Sequence, residues 1–176
     1  VYVNLLRARA DLGPSSTIGA VYTDRTSNSN DFNRVLGADA RIQVGGRYTF
    51  TVMGARSFTN NVMLRDRKDG AMGSLRFERA GRTLQLNAEF EDTQQSFKPG
   101  SGFFQRIGTA QANSRISYTW YGKRGAFFES IGPSLEVKAF WDHERFWRGE
   151  GLEEGEVQLS SRFSFKNNVT VWANYK

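Results

Sequence analysis

Apolar and polar residues alternate one by one along most of this chain, and that alternation constrains the fold more than any other feature. Between positions 36 and 44, every second residue is apolar, whereas the intervening residues are polar or glycine and include Asp39 and Arg41. Successive side chains of a β-strand point to opposite sides, so this spacing predicts a strand with one apolar face.

The same alternation recurs in many short segments, which predicts an all-β chain of about ten strands. These segments lie at residues 3–12, 16–23, 36–44, 48–57, 71–80, 83–91, 108–120, 134–141, 157–165 and 169–175. Abundant Phe, Tyr, Trp and Gly favour strands and turns and argue against a helical bundle. A membrane-spanning helix is excluded because no window approaches twenty uninterrupted apolar residues, but a membrane β-barrel is not.

Short and long connections alternate between the predicted strands. Short turns with Gly or Asn are predicted at 13–15, 45–47, 81–82 and 166–168, and long polar loops at 24–33, 58–69, 93–106 and 142–155. The connection 121–133 occupies a short-turn position but is longer. This arrangement is typical of an antiparallel up-and-down transmembrane β-barrel. We expect residues 1–176 to be a segment of a larger barrel, without a second domain, because the outermost strands lack edge protection.

Strand pairing across the short turns keeps the apolar residues on one face. Leu12 opposite Ser16 is the first such pairing, and across the turn at 81–82 the predicted register places Arg76 opposite Asn87 and diagonal to Glu89. None of these pairings requires a charge on the apolar face.

Aromatic residues of the apolar face collect near both ends of the strands, as in the two girdles of a membrane barrel. They are Tyr48, Tyr118, Trp120, Phe163 and Phe165 toward the short turns, and Tyr22, Phe90, Trp141 and Tyr175 toward the long loops. In a soluble β-sandwich, which is the alternative, the same rings would belong to the core.

The net charge of +6 is concentrated at the short turns. The polar faces of the strands and the long loops each carry as many basic as acidic residues. The excess comes from Arg47, Arg79, Arg82, Lys123, Arg124 and Lys166, which with Glu129 give +5, and from Lys176, which adds one. Since cations and aromatic rings lie on opposite faces, unlike in a nucleic-acid groove, no nucleic-acid partner is predicted. The basic turns would either lie beside anionic lipid headgroups, or their charges would only keep the turns solvated.

Balanced charges on the polar face predict a ladder of cross-strand ion pairs, because unpaired charges in a narrow lumen would repel one another. The candidates are Arg41, Arg76 and Arg115 with Asp39, Glu78 and Glu89. Such a ladder is either structural or the wall of a pore that tolerates sugars or ions.

Residues for catalysis are scarce in this sequence. His143 is the single histidine and there is no cysteine. Glu89 and Glu91 share a face, but alternate acidic residues are common on a polar strand face. We therefore predict no enzyme activity, no cofactor and no metal.

Aromatic and basic residues interrupt the polar loops. Phe103, Phe104, Phe146, Trp147 and Arg148 are candidates for recognising a saccharide or a protein partner, since aromatic faces beside polar groups suit sugar rings. Alternatively, these rings fold the loops down onto the rim of the barrel.

The segment 97–108, which contains Pro99-Gly100-Ser101-Gly102-Phe103, resembles a loop of an uncharacterised bacterial family. Segments 16–20 and 130–134 are also similar to it. Members of that family combine a carbohydrate-binding-like N-terminal domain with a C-terminal outer-membrane β-barrel. The resemblance implies that this chain belongs to the barrel, lies in the bacterial outer membrane and contacts its lipid. Any sugar-related annotation of the family belongs to the other domain.

Three functions are consistent with these features. The first is a pore or uptake component for saccharides or other small polar solutes. The second is a non-conducting structural or accessory barrel in a membrane assembly. The third is a soluble carbohydrate-binding β-domain, which extraction without detergent would support.

Overall fold

The computed structural model describes residues 1–28, 30–61, 66–100 and 106–176, and these form eleven strands and one short helix. The first six strands are β1 (Tyr2–Asp11), β2 (Thr17–Asn28), β3 (Asp31–Val44), β4 (Tyr48–Asn61), β5 (Asp66–Arg79) and β6 (Leu84–Thr93). The remaining elements are β7 (Thr109–Tyr118), β8 (Trp120–Tyr121), β9 (Phe128–Asp142), α1 (His143–Trp147), β10 (Glu154–Phe165) and β11 (Thr170–Tyr175).

All strands belong to one antiparallel sheet in which neighbours along the chain are neighbours in space. The two-residue strand β8 is the exception, because it lies off this path and pairs with β9. The prediction of an all-β, up-and-down meander is therefore confirmed. In the described ranges, β1 and β11 pair with each other nowhere, so the sheet is not closed.

The predicted register is correct across the first turn and wrong across the turn between β5 and β6. Leu6 lies opposite Tyr22, as pairing of Leu12 with Ser16 requires. Arg76, however, lies directly opposite Glu89 rather than Asn87. The connection at 80–83 is longer than a two-residue turn, because the Ala80 amide donates to the carbonyl of Arg47 at 2.8 Å instead of closing its own hairpin. A shift of two residues leaves each side chain on its predicted face.

Two of the four predicted long loops are mostly strand. β2 runs to Asn28 and β3 begins at Asp31, while β4 runs to Asn61 and β5 begins at Asp66. The apolar alternation ends in these regions but the backbone ladder continues, because polar side chains replace the apolar contacts. The side-chain Nδ2 of Asn60, for example, donates to the carbonyl of Asn30 at 2.7 Å.

The long connection predicted at 121–133 is shorter, because β9 already begins at Phe128. Pro133 lies inside that strand, opposite Ser161. Proline has no amide hydrogen to donate. It fits here because β9 has no partner on one side at this point. Pairing of β9 with β7 ends at Ser134, and pairing with β8 begins at Ile131.

Charges do occur on the apolar face, contrary to the prediction, mainly toward the loop end of the described strands, although Arg79 lies opposite Tyr48 at the turn end. Arg56 shares this face with Leu36 and forms an ion pair with Asp69 at 2.5 Å. Arg34 pairs similarly with Asp24 at 3.3 Å. The apolar face therefore has a charged, paired border at the loop end.

Most of the buried core lies against the opposite, polar face, beneath the connection between β6 and β7, while Ala110 is buried on the other side, opposite Trp141. Phe97 is 2% exposed, and Ser57 and Thr93 are fully buried. Val35 and Met72 complete this small cluster as buried apolar residues. In the part of the chain that the structure describes, no helix is long and apolar enough to cross a membrane.

Candidate functional site

The polar face forms a shallow depression at its turn end that holds three of the predicted ladder residues. Arg41, Glu78 and Arg115 line one space of about 520 Å³, together with amides and hydroxyls of the intervening strands. These residues come from β3, β5 and β7, and five adjacent flat strands would spread over about 19 Å at ~4.8 Å per strand. Because residues from strands this far apart line the same space, the sheet curves around its polar face.

Ion pairs cross neighbouring strands on this face. Arg76 Nη2 lies 2.6 Å from Glu89 Oε1, so the structure brings these two candidates together. Arg115 instead pairs with Glu136 of β9. Arg41 and Glu78 form no ion pair in the described part of the chain, so both remain free to contact a solute in the depression.

The remaining candidate, Asp39, pairs with a residue two strands away. Arg7 of β1 reaches across β2 to place its Nη2 atom 2.6 Å from Asp39 Oδ1. Gly19 lies beneath this contact, and a Cβ atom there would be 2.7 Å from Arg7 Nη2. The absence of a side chain at position 19 therefore permits the pairing.

A second network lies near the other edge of the sheet. Lys138 Nζ lies 3.4 Å from Glu136 Oε1 and 3.5 Å from Glu156 Oε1. Lys176 then contacts Glu156 at 2.9 Å. The alternation of the sequence places Glu136, Lys138 and Glu156 on the polar face, but charge balance alone does not reveal which strands become neighbours and so did not select them as ladder members.

The connection after β6 folds inward over the polar face at its loop end, and we call residues 94–100 the inner loop. Gln94 fixes its beginning, because its side chain accepts from the Ala71 amide at 2.8 Å and its own amide donates to the Ala71 carbonyl at 3.0 Å. Phe97 is buried over β5, where a Cβ on Gly70 would collide with the Phe97 backbone. The Lys98 amide donates to Ser57 Oγ at 2.9 Å.

Asn33 of β3 holds the far end of the inner loop. Its Oδ1 atom accepts from the Gly100 amide at 2.7 Å, and its Nδ2 atom donates to the Lys98 carbonyl at 2.7 Å. Nδ2 also donates to Thr59 Oγ1 at 2.8 Å. The loop thus crosses from β6 to β3 and partly covers the polar face. A cavity of about 490 Å³ beside it is lined by residues that include Arg25, Asn33 and Thr59.

The loop recognition candidates lie in different surroundings. Phe103 and Phe104 lie outside the described residues. Phe146 of α1 packs between Phe90 and Trp141, with ring centroids 5.3 Å from each, and is half-buried. This packing holds α1 against the border of the apolar face, as the alternative interpretation of these rings expects.

The other two recognition candidates, Trp147 of α1 and Arg148 directly after it, are more exposed. Trp147 is 66% exposed, and its Nε1 donates to Asp92 Oδ2 at 3.0 Å. The second oxygen of Asp92 lies 2.6 Å from His143 Nδ1. Arg148 pairs with Glu144 one helical turn earlier, at 2.7 Å. These contacts anchor the helix and leave one face of the Trp147 ring open.

The face opposite the ladder is apolar and largely uncovered. Leu36 is 58% exposed and Val157 is 56% exposed, whereas both would be buried if this face formed the core of a soluble sandwich. Other exposed members of this face include Ile42, Phe50, Val52, Leu75, Ile116, Val137 and Leu159. No second sheet covers them in the described ranges.

Among the described residues, no group of three or more His, Asp or Glu side chains is arranged to hold a metal ion. No protein-family model, curated protein or solved structure matches this chain. Its function must therefore be argued from the two faces of the sheet.

Proposed function

We propose that this chain is part of an outer-membrane β-barrel whose polar face lines a passage for saccharides or other small polar solutes. One observation carries the proposal: a single antiparallel sheet exposes large apolar side chains on one face and carries ion pairs and amides on the other. Exposed apolar patches larger than a few hundred Å² are rare on soluble monomers. Lipid is the environment in which such a face is stable.

The dimensions of the apolar face support contact with lipid. Its apolar row in β3 runs from Leu36 to Val44, which corresponds to about 27 Å along the strand at ~3.4 Å per residue. At a tilt of about 40°, this gives roughly 20 Å of height, close to the apolar band of about 25 Å in membrane barrels. The ion pairs of Arg34 and Arg56 mark one border of the row.

The polar face supports passage of uncharged or weakly charged solutes. Its charges are mostly paired across strands, so the wall offers hydrogen-bonding groups without a large net field. Arg41 and Glu78 line the depression without an ionic partner among the described residues, and amides and hydroxyls surround them. This composition suits the hydroxyl groups of a sugar.

The open edges of β1 and β11 fit a barrel that other strands complete. All residues of both strands are exposed, and the backbone groups along their outer sides face no other strand in the described part of the chain. In a membrane, unpaired strand edges are strongly unfavourable, so a spanning sheet must close. The resemblance of segment 97–108 to a barrel family is consistent with this proposal.

The inner loop favours a second candidate function, a non-conducting accessory barrel. Its buried Phe97 and the hydrogen bonds to Asn33 and Ser57 hold it over the polar face, where it narrows the lumen. A loop held this firmly either constricts a pore or blocks it.

Recording from planar bilayers distinguishes these functions. Protein that contains this chain is purified with and without detergent, reconstituted, and measured for steady current and for its reversal potential in a salt gradient. We expect a detergent requirement and a steady current. Arg41→Gln should shift the reversal potential toward cation preference, because it removes an unpaired positive charge from the wall. Arg34→Gln on the opposite face is the matched control and should not shift it.

Other outcomes select the alternatives. A detergent-dependent protein without current would favour the accessory barrel and contradict the pore. Full solubility without detergent would contradict both membrane functions and favour a soluble β-domain.

A further inference from the structure

The turns at one end of the sheet form a continuous group that combines cations with aromatic rings. We call this group the turn-end collar. Its cations are Arg47, Arg79, Arg82, Lys123, Arg124 and Lys166. Its rings are Tyr48, Tyr118, Trp120, Tyr121 and Phe127.

Hydrogen bonds link the successive turns of the collar to one another. The Ala80 amide donates to the carbonyl of Arg47 at 2.8 Å, which joins the β5–β6 connection to the β3–β4 turn. The hydroxyl of Tyr121 donates to the carbonyl of Arg82 at 3.0 Å, which joins it to the next connection. The cations on these three connections therefore lie side by side rather than scattered over the surface.

The cations of the collar differ from most others in the molecule because they have no acidic partners. In the described part of the chain, none of the six forms an ion pair, and Glu129 is the one acidic residue among these turns. Arg56, Arg76 and Arg145, which lie elsewhere, each contact a carboxylate. An uncompensated positive surface attracts anionic groups.

Aromatic rings lie directly against these cations, so the expectation that cations and rings occupy opposite faces is wrong at the turns. The guanidinium carbon of Arg82 is 4.5 Å from the centre of the Tyr121 ring, and that of Arg79 is 5.8 Å from the Tyr48 ring. Phe127 is 81% exposed. Rings and basic side chains occur together where protein crosses the boundary between hydrocarbon and headgroups, because each has an apolar body and a polar end.

The collar also continues the apolar face. Tyr48 lies on the same side of β4 as Phe50 and Val52, and Trp120 lies opposite Ile131 on that side of β9, so these two rings border the apolar surface at its turn end. A soluble polyanion would use the cations but would leave the exposed rings and the adjoining apolar surface in water. A lipid leaflet contacts all three.

We propose that the turn-end collar binds the anionic headgroups of membrane lipids, with the rings seated at the headgroup level and the cations contacting lipid phosphates. This inference rests on the proposed barrel and names the partner of its turn end. The loop end carries as many acidic as basic residues and therefore lacks this preference, so the collar also orients the barrel relative to an anionic leaflet.

Quenching by brominated lipids tests the proposal in the reconstituted protein. A variant with Trp141→Phe, Trp147→Phe and Trp172→Phe, with any tryptophan outside residues 1–176 also replaced, retains Trp120 of the collar as its single tryptophan. Its fluorescence is measured in vesicles that contain brominated phosphatidylglycerol or brominated phosphatidylcholine at equal fractions. We expect stronger quenching by phosphatidylglycerol, and we expect the difference to decrease as salt is added.

Two triple variants separate the collar from general surface charge. Arg82→Gln with Lys123→Gln and Arg124→Gln should lower the relative association constant for phosphatidylglycerol by about tenfold or more, because each basic residue near an anionic surface contributes several-fold. Arg34→Gln with Arg56→Gln and Arg148→Gln, at the loop end, is the matched control and should retain it.

Each remaining outcome contradicts the proposal in a distinct way. Insertion into phosphatidylcholine vesicles without preference for phosphatidylglycerol would overturn the collar proposal and leave the barrel intact. Equal losses in both triple variants would also overturn it. Binding of tripolyphosphate to detergent-solubilised protein, without lipid preference, would replace the lipid by a soluble phosphate ligand. Failure to insert into either vesicle would overturn the barrel and the collar together.

Discussion

At the scale of single residues, Gly19 determines whether an edge strand is tied to the interior of the sheet. Arg7 crosses β2 above this glycine to reach Asp39, and a Cβ at position 19 would lie 2.7 Å from Arg7 Nη2 and 3.0 Å from Asp39 Oδ1. We expect Gly19→Val to separate the pair and to lower the free energy of unfolding by less than about 1 kcal/mol, since exposed ion pairs contribute about 0.2–1 kcal/mol. Denaturant titration of the refolded protein measures this change.

Gly54→Val is the control, because the nearest contact of a Cβ there is the Met72 carbonyl oxygen at 3.9 Å. In an Arg7→Gln background, Gly19→Val should have little further effect, because the ion pair is already absent. An equal loss of stability with and without Arg7 would refute this role of Gly19.

At the scale of elements, Asn33 of β3 holds the far end of the inner loop. Asn33 makes hydrogen bonds of 2.7 Å to the Gly100 amide and 2.7 Å to the Lys98 carbonyl. Each neutral hydrogen bond contributes about 0.5–1.5 kcal/mol, so Asn33→Ala should weaken docking of the loop by roughly 1–3 kcal/mol. We expect hydrogen exchange at the Gly100 amide to accelerate by about tenfold or more.

Asn60→Ala provides the comparison for this element. Asn60 also donates a hydrogen bond of 2.7 Å, but to Asn30 at the end of the strands rather than to the inner loop. Exchange at Gly100 should not change in this variant. If Asn33→Ala left exchange at Gly100 unaltered as well, the loop would be held by Phe97 and Ser57 without help from Asn33.

At the scale of the whole molecule, the two faces of the sheet should respond oppositely to a new charge. Val52 lies mid-strand on the apolar face and is 49% exposed. If lipid covers this face, Val52→Arg should cost about 2–4 kcal/mol, as charges near the midplane of barrels do. In water, a substitution at such an exposed site would cost less than about 0.5 kcal/mol. Unfolding of protein reconstituted in vesicles gives the value.

Thr51→Glu tests a new charge on the polar face of the same strand. A carboxylate there would lie between Arg41 and Arg76, the residues directly opposite position 51 on the two neighbouring strands, so we expect a smaller cost than at Val52. Similar small costs at both positions would contradict contact between the apolar face and lipid.

Much of the architecture was predictable because it depends on local pattern. The alternation at 36–44 assigns Asp39 and Arg41 to one face whatever the neighbouring strands are, since the pleat alone sets this period. The tight turn at 13–15 similarly sets the pairing of Leu6 with Tyr22. Strand ends were predicted less well, because β2 and β3 continue into polar sequence that carries no apolar alternation.

The sequence by itself determined the number of long strands, their order and the side to which each residue points, because these follow from interactions between near neighbours along the chain. Tertiary structure alone decided the partners of the charges, such as Arg7 with Asp39 and Arg115 with Glu136. It also decided that residues 94–100 fold inward onto Asn33. Residues far apart in the chain make these contacts, so their geometry depends on the register and curvature of the assembled sheet.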